Sequence, residues 1–292
     1  MKKRSLSDRI IDSINIVVLA LVAILMLMPF IHIFSVSFSS LQDVLQKDFI
    51  MWPTNWAFEA YEAIFASKSF IRSIFVTTYI TVLGTVVSLI LTATMAYGLT
   101  RNVLGQRALL LMVVFTILFN AGMIPVYLVV KETGIMNSIW ALIIPGAVSS
   151  YYLIVFRQFL LSIPNELNEA ALIDGASELK VFWSIVLPLS KPALATFSLF
   201  YAVGYWNKYF EGILYLNDSS KWPIQVVLRQ IVIMNEATST LGADVMLMME
   251  NPPPPITIQM AAILVATLPI LVLYPFLQKH FAKGVMIGSV KG

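Results

Sequence analysis

Cysteine does not occur in these 292 residues. Disulfides, haem–thiolate ligation and cysteine-bound zinc are therefore excluded, while the compartment stays open. Histidine is nearly as scarce. His32 and His280 lie far apart in sequence, so a histidine metal site is not expected, and His32 reads as a satisfied or interfacial side chain. Charge is the third shortage: Asp, Glu, Lys and Arg make up 12% of the chain, against roughly 25% in soluble domains. No G-x4-G-K-[S/T] motif occurs, which removes ATP hydrolysis by a P-loop. Nothing resembles a nucleic-acid module, and no internal repeat is detectable. No Ser–His pair or carboxylate pair stands at membrane depth, so the chain is expected to be non-catalytic, with no catalytic residue and no metal.

Long uncharged runs and 59% hydrophobic residues define an integral membrane protein. Lys2, Lys3, Arg4 and Arg9 precede an apolar run from about Ile14 to Phe38. That run is too long for a signal-peptide core and reads as an uncleaved first span. The expected fold is all-α, with six transmembrane helices in one domain covering residues 1–292. The spans fall at about 11–38, 71–98, 108–130, 138–160, 192–215 and 256–278, with a short tail from Lys279 to Gly292. Pro29 lies inside the first. The second is rich in Thr, Ser, Gly and Ala, which lets helices approach closely in lipid and places it centrally. The third holds Asn120, Gly122 and Pro125, and the fourth Pro145-Gly146. Residues 39–69 form a loop whose Trp52 and Trp56 suit a membrane interface. Residues 217–255 form a long polar loop that ends in Pro252-Pro253-Pro254-Pro255, read as extended and stiff.

Orientation follows from the basic residues. The N-terminus, the 99–107 and 157–191 segments and the tail hold 12 of the 19 Lys and Arg. The positive-inside rule puts them, and both termini, in the cytoplasm.

The segment Asn165–Leu189, NELNEAALIDGASELKVFWSIVLPL, is patterned as two short helices joined by a sharp turn. Ser162 and Pro164 signal a start, and Glu166 and Glu169 suit a helix N-terminal half. Gly175 can stop the first helix with φ > 0. Ser177 can cap the second, which runs through Phe182 and Trp183 to Leu187, where Pro188 ends it. The bland reading is an amphipathic hairpin lying on the bilayer.

Glu169-Ala170-Ala171, then Gly175, then Ile185-x-Leu187-Pro188 resembles the EAA loop of ABC-importer permeases, EAA-x3-G-x9-I-x-L-P, at every fixed position. Ala121–Ser149, Trp206-Asn207 and the terminal Gly284–Gly292 are similar to the carbohydrate-importer branch, that of the MalG-like permeases, and within it to the YtcP/LplC type of oligosaccharide permease. The resemblance implies the type I ABC-importer permease fold, a bacterial plasma-membrane location and import of an oligosaccharide or other carbohydrate. It implies three kinds of partner besides the bilayer: a homologous second permease, a dimer of ATPase subunits that holds ATP and magnesium, and an extracytoplasmic solute-binding protein. No cofactor is expected in this chain itself. The coupling hairpin, about 162–191, would dock in the ATPase. Glu169 would meet a polar group there, Gly175 would allow close contact, and Ile185, Leu187 and Pro188 would anchor the hairpin to the fifth span. Asp174 caps the turn or touches the partner. The 217–255 loop corresponds to one that reaches into the binding protein. Asn120, Tyr127, Tyr151, Tyr152, Trp206 and Asn207 are candidates for the sugar path, since aromatics stack on sugar rings and amides bond hydroxyls. Two alternatives remain: an importer permease for a non-sugar solute, and an ion-coupled secondary transporter. The lack of Asp, Glu, Lys and Arg in the middles of the spans opposes the second.

Overall fold

The computed structural model describes residues 6–47, 49–249 and 251–289, with the side chains of residues 6–9, 243, 246, 248 and 273–289 left out of that description. Every named element among these residues is helical. In chain order they are α1 (Leu6–Ser37), α2 (Leu41–Gln46), α3 (Glu59–Ala66), α4 (Lys68–Gly98), α5 (Gln106–Leu118), α6 (Met123–Glu132), α7 (Trp140–Ile143), α8 (Ser150–Leu161), α9 (Asn165–Ile173), α10 (Glu178–Val181), α11 (Leu187–Leu189), α12 (Lys191–Trp206), α13 (Phe210–Tyr215), α14 (Ile224–Val232), α15 (Ala237–Leu241), α16 (Ala243–Met248) and α17 (Pro255–Ser289).

Three helical stretches are long and apolar enough to cross a membrane unbroken: Ile10–Ser37, Lys68–Gly98 and Pro255–Val272. Three bent pairs reach that length only together. The expected third span is one of them: the direction changes by 120° between α5 and α6. The cause is local. Gly122 has φ +81°, and the Asn120 side chain accepts a hydrogen bond from the Gly122 N–H at 2.8 Å, closing a turn in the middle of the apolar run. The fourth span bends by 54° between the Ile144–Gly146 turn and α8, where Pro145 lies. The fifth ends early. Its helix α12 stops at Trp206, and α13 is a separate element. At the far end the expected tail is helical from Lys279 to Ser289, because α17 continues that far, and its last three residues lie outside the described ones.

The chain groups into two compact units, residues 1–71 with 228–267 and residues 72–227 with 268–292. In the first, α1 is continuous through Pro29, and its apolar side chains from Ile10 to Ile31 are exposed on this chain. His32 stacks on Phe49 at 4.7 Å, and its Nδ1 lies 3.2 Å from the Ile50 carbonyl. The 39–69 segment carries α2 and α3 and an antiparallel bridge between Ser39 and Trp56. Asp43, buried, accepts from the Asn55 N–H at 2.8 Å, and that bond, helped by Lys47, holds its carboxyl below the ordinary 3.8. The long polar loop expected at 217–255 is mostly helical. In IQVVLRQIV of α14 the apolar Ile224, Val227 and Ile231 recur at helical spacing and are buried. Pro252, Pro253 and Pro254 line a cavity of about 510 Å³ together with Ser39, Gln42 and Glu59 of the same unit. Pro255 opens α17, a position where its missing N–H costs nothing.

The second unit is built on α4. Its small-residue stripe faces inward: Ser73, Thr77, Ser88, Thr92, Ala93 and Ala96 are all buried. Lipid offers no hydrophobic drive to helix association, so close packing and hydrogen bonds must hold such helices together. Both are present. Ser88 Oγ lies 2.8 Å from the Tyr205 hydroxyl, and Thr92 Oγ1 lies 2.7 Å from that of Tyr201. The Tyr205 hydroxyl also reaches the Ile143 carbonyl at 3.3 Å, and Tyr201 accepts from the Ser149 N–H at 3.2 Å. Gly84 is there because the Tyr205 ring lies over it: a Cβ at that position would sit 2.7 Å from the ring. Leu153 and Phe156 of α8, Val181 and Phe182 at α10, and Phe197 of α12 complete this core.

Candidate functional site

The hairpin forms where the sequence placed it. Pro164 takes the N-cap position of α9, one place earlier than a first-turn proline, and Glu166 lies in the first turn. Glu169 Oε1 accepts from the Asn165 amide at 2.6 Å, which steadies the carboxylate on its own helix. The helix ends in a Schellman arrangement. The Ala176 N–H bonds the Ala171 carbonyl at 2.9 Å, and the Gly175 N–H bonds that of Leu172 at 3.0 Å. Gly175 has φ +83°, a left-handed conformation that only glycine adopts without cost. Ser177 then caps α10, its Oγ accepting from the Lys180 N–H at 3.3 Å.

One face of this hairpin is anchored and the other is open. Ala171 and Ala176 pack partly buried against the core of their unit, as the small apolar contact of a Schellman turn does. Glu169, Ala170, Asp174 and Gly175 are exposed. Asp174 is the C-cap residue of α9. Two large apolar side chains flank the turn in the open, Ile173 at 85% and Leu179 at 71% exposure.

The hairpin base is buried at residues beyond those expected. Val181, Phe182 and Val186 are buried, Ile185 and Leu187 only partly so, and Pro188 is exposed. Pro188 does not end the helix either. The chain winds one wider π turn over Phe182–Val186, with the Leu187 N–H bonding the Phe182 carbonyl, and continues to Leu189. Proline lacks the N–H that would reach back one turn, and a π turn just before it absorbs that loss. The break comes at buried Ser190, whose hydroxyl bonds the Val186 carbonyl at 2.7 Å. There the direction changes by 80° into α12.

The sugar-path candidates stand in several local settings. Asn120 serves the turn between α5 and α6 and is exposed. Tyr127 stacks on Tyr215 with ring centres 6.4 Å apart. Tyr151 is exposed and meets Tyr152 edge-on. Tyr152 itself packs on Phe197, Phe200 and Tyr201. Trp206 is buried, and Asn207 caps α12, its amide donating to the Val203 carbonyl at 3.0 Å. Sequence reasoning missed Tyr201 and Tyr205. Their spacing of four, matched to hydroxyls spaced four apart on α4, was the available signal.

Apolar helices of membrane length, a polar stripe buried between α4 and α12 and an exposed, well-capped hairpin are the features of a multi-pass membrane subunit. The chain belongs to the family of binding-protein-dependent transport system inner membrane components, whose model matches residues 63–287. It is 49% identical over 292 residues to the polygalacturonan/rhamnogalacturonan transport system permease protein YtcP of Bacillus subtilis, covering 98% of this chain and 100% of that one. It is also 49% identical over 287 residues to protein LplC of the same organism, covering 98% of this chain and 96% of that one. Among solved structures, a chain of a bacterial ABC transporter involved in the import of the acidic polysaccharide alginate superposes with a TM-score of 0.89 at 34% identity, over 96% of this chain and 100% of that one. The protein is a transmembrane permease subunit of an ABC importer, in the carbohydrate branch.

Proposed function

We propose that this chain forms part of the path by which an acidic oligosaccharide enters the cell, and that the hairpin is the handle through which an ATPase drives it. The exposed hairpin turn carries the reading. Ile173 and Leu179 stand open on either side of a left-handed glycine, with Glu169, Ala170 and Asp174 beside them, while buried Val181, Phe182 and Val186 hold the base. An apolar knob rimmed by carboxylates suits a partner's groove. In this reading Glu169 meets a basic or polar group of that groove, and Gly175 allows close backbone approach. The groove belongs to a dimer of ATPase subunits that hold ATP and magnesium, and this chain is the non-catalytic member. A homologous second permease completes the path, and a binding protein delivers cargo from outside. Counting each bent pair once gives six spans. The excess of Lys and Arg then puts both termini and the hairpin in the cytoplasm.

The acidic cargo is supported by the relatives. One is named for polygalacturonan and rhamnogalacturonan, and a chain of similar structure serves import of the acidic polysaccharide alginate. Tyr127 and Tyr151 keep ring surface accessible for stacking on sugars. ATP binding biases a two-state equilibrium of the spans, and the hairpin is where that bias enters.

Purified from native membranes in mild detergent, the chain should bring a second multi-span permease and a P-loop ATPase with it. In proteoliposomes, hydrolysis should rise several-fold with binding protein loaded with a uronate oligosaccharide, and not with a neutral one of equal length. A chain that emerges alone would sink the handle. Equal stimulation by the neutral sugar would sink the acidic cargo.

A further inference from the structure

One cluster in the second unit does more than cap or turn. At the C-terminal end of α4 the Tyr97 hydroxyl donates to Glu178 Oε2 at 2.6 Å. Arg101 donates to the same hydroxyl, and its Nη2 lies 3.2 Å from the same carboxylate oxygen. The Arg101 guanidinium also sits 4.5 Å from the centre of the Tyr97 ring, which lies 5.0 Å from that of Phe182. Position favours each charge. Glu178 opens α10, where the helix dipole welcomes an anion, and Arg101 follows the end of α4, where it welcomes a cation. The same end of α4 is held from two other sides: the Leu99 carbonyl accepts from Gln106 at 2.7 Å and from Arg157 of α8 at 2.8 Å.

We propose that Tyr97, Arg101 and Glu178 form a clasp that makes the hairpin and α4 move as one body. The proposal rests on the hairpin's reading as the ATPase handle. Along the chain, the hairpin reaches α12 only through a π turn and an 80° bend at Ser190, which is a compliant joint. The clasp bypasses that joint. It delivers displacement to α4, whose Ser88 and Thr92 bond Tyr205 and Tyr201 of α12. An ion pair with one partner 54% exposed is weak by itself. A planar guanidinium fixed by a carboxylate, a hydroxyl and a ring is directional, and direction is what transmission needs. The three are positioning residues, remote from the cargo.

The test uses the complete importer in proteoliposomes and reads cargo moved per ATP hydrolysed, together with retention of the ATPase on the complex. Glu178→Gln keeps the shape of an exposed side chain, so it tests charge and not folding. Glu178→Gln and Arg101→Met should retain the ATPase and its hydrolysis while cargo per ATP falls about tenfold. The exchanged pair Arg101→Glu with Glu178→Arg should recover part of that loss. An unchanged ratio in both single variants overturns the clasp. Loss of the ATPase from the Glu178→Gln complex also overturns it, because Glu178 would then be a docking residue. A Gly175→Trp variant in the same assay separates the two ideas: normal uptake there removes the handle itself, whatever the clasp variants do.

Discussion

At the scale of single residues, the contact between Gly84 and Tyr205 is one of two very close glycine contacts in the second unit. The Tyr205 ring lies over the glycine and its hydroxyl is pinned by Ser88 and the Ile143 carbonyl, so it cannot swing aside for a methyl group. Gly84→Ala should therefore destabilise the protein by about 1–3 kcal/mol, as overpacking does. Tyr205→Phe, which removes one buried hydroxyl between membrane helices, should cost about 0.6 kcal/mol. In the Tyr205→Phe background the ring is unpinned and Gly84→Ala should cost less than it does alone. Thermal unfolding of the detergent-purified protein followed by tryptophan fluorescence checks all three. Additive losses would mean that the hydroxyl bonds do not hold the ring. The small-residue stripe on α4 was legible in the sequence, and so was its central place. Its partners were not, because Ser88 and Tyr205 lie 117 residues apart and no local pattern links them.

At the scale of elements, the hairpin was readable because each of its signals acts locally. A proline start, a left-handed glycine and a serine cap fix their own neighbours within one helical turn. That Val181, Phe182 and Val186 are buried more deeply than Ile185 and Leu187 was not legible, for the opposite reason. Which side of a helix faces the core depends on the π turn, and that turn adds a residue to the count after Val181. The break between α5 and α6 was masked by hydropathy, since an Asn-Ala-Gly turn inside an apolar run changes direction without changing composition. The helices between 217 and 255 were overlooked although α14 has helical spacing, because the loop as a whole is polar. The hairpin also allows a test that separates strain from docking. A Cβ at Gly175 would meet nothing within 4 Å, so the site objects to its backbone angle and not to volume. Asparagine tolerates that angle better than most residues. Gly175→Asn should therefore keep the fold and most of the uptake. Gly175→Trp should leave the chain inserted and uptake at least tenfold lower. Uptake assays paired with a membrane-insertion blot decide it, and equal loss in both variants would point to strain alone.

At the scale of the whole molecule, the lack of cysteine becomes an experimental advantage, because any introduced thiol is read without background. Val103 and Ile233 are exposed on opposite sides in the proposed topology. Val103→Cys should react with a membrane-impermeant maleimide only from the cytoplasmic side, and Ile233→Cys only from outside. The reverse pattern would invert the orientation and take the hairpin away from any cytoplasmic ATPase. The contact between α4 and α12 has an electrical consequence as well. Its polar groups are hydroxyls, and residues 73–100 and 192–207 contain no Asp, Glu, Lys or Arg. When these two helices shift against each other, those stretches carry no formal charge through the membrane field. A cargo that carries carboxylates does cross it, at a cost of about 2.3 kcal/mol per elementary charge for each 100 mV it opposes. The slope of uptake against imposed potential should then act as a voltmeter for the acidic cargo proposed above, with no contribution from these two stretches.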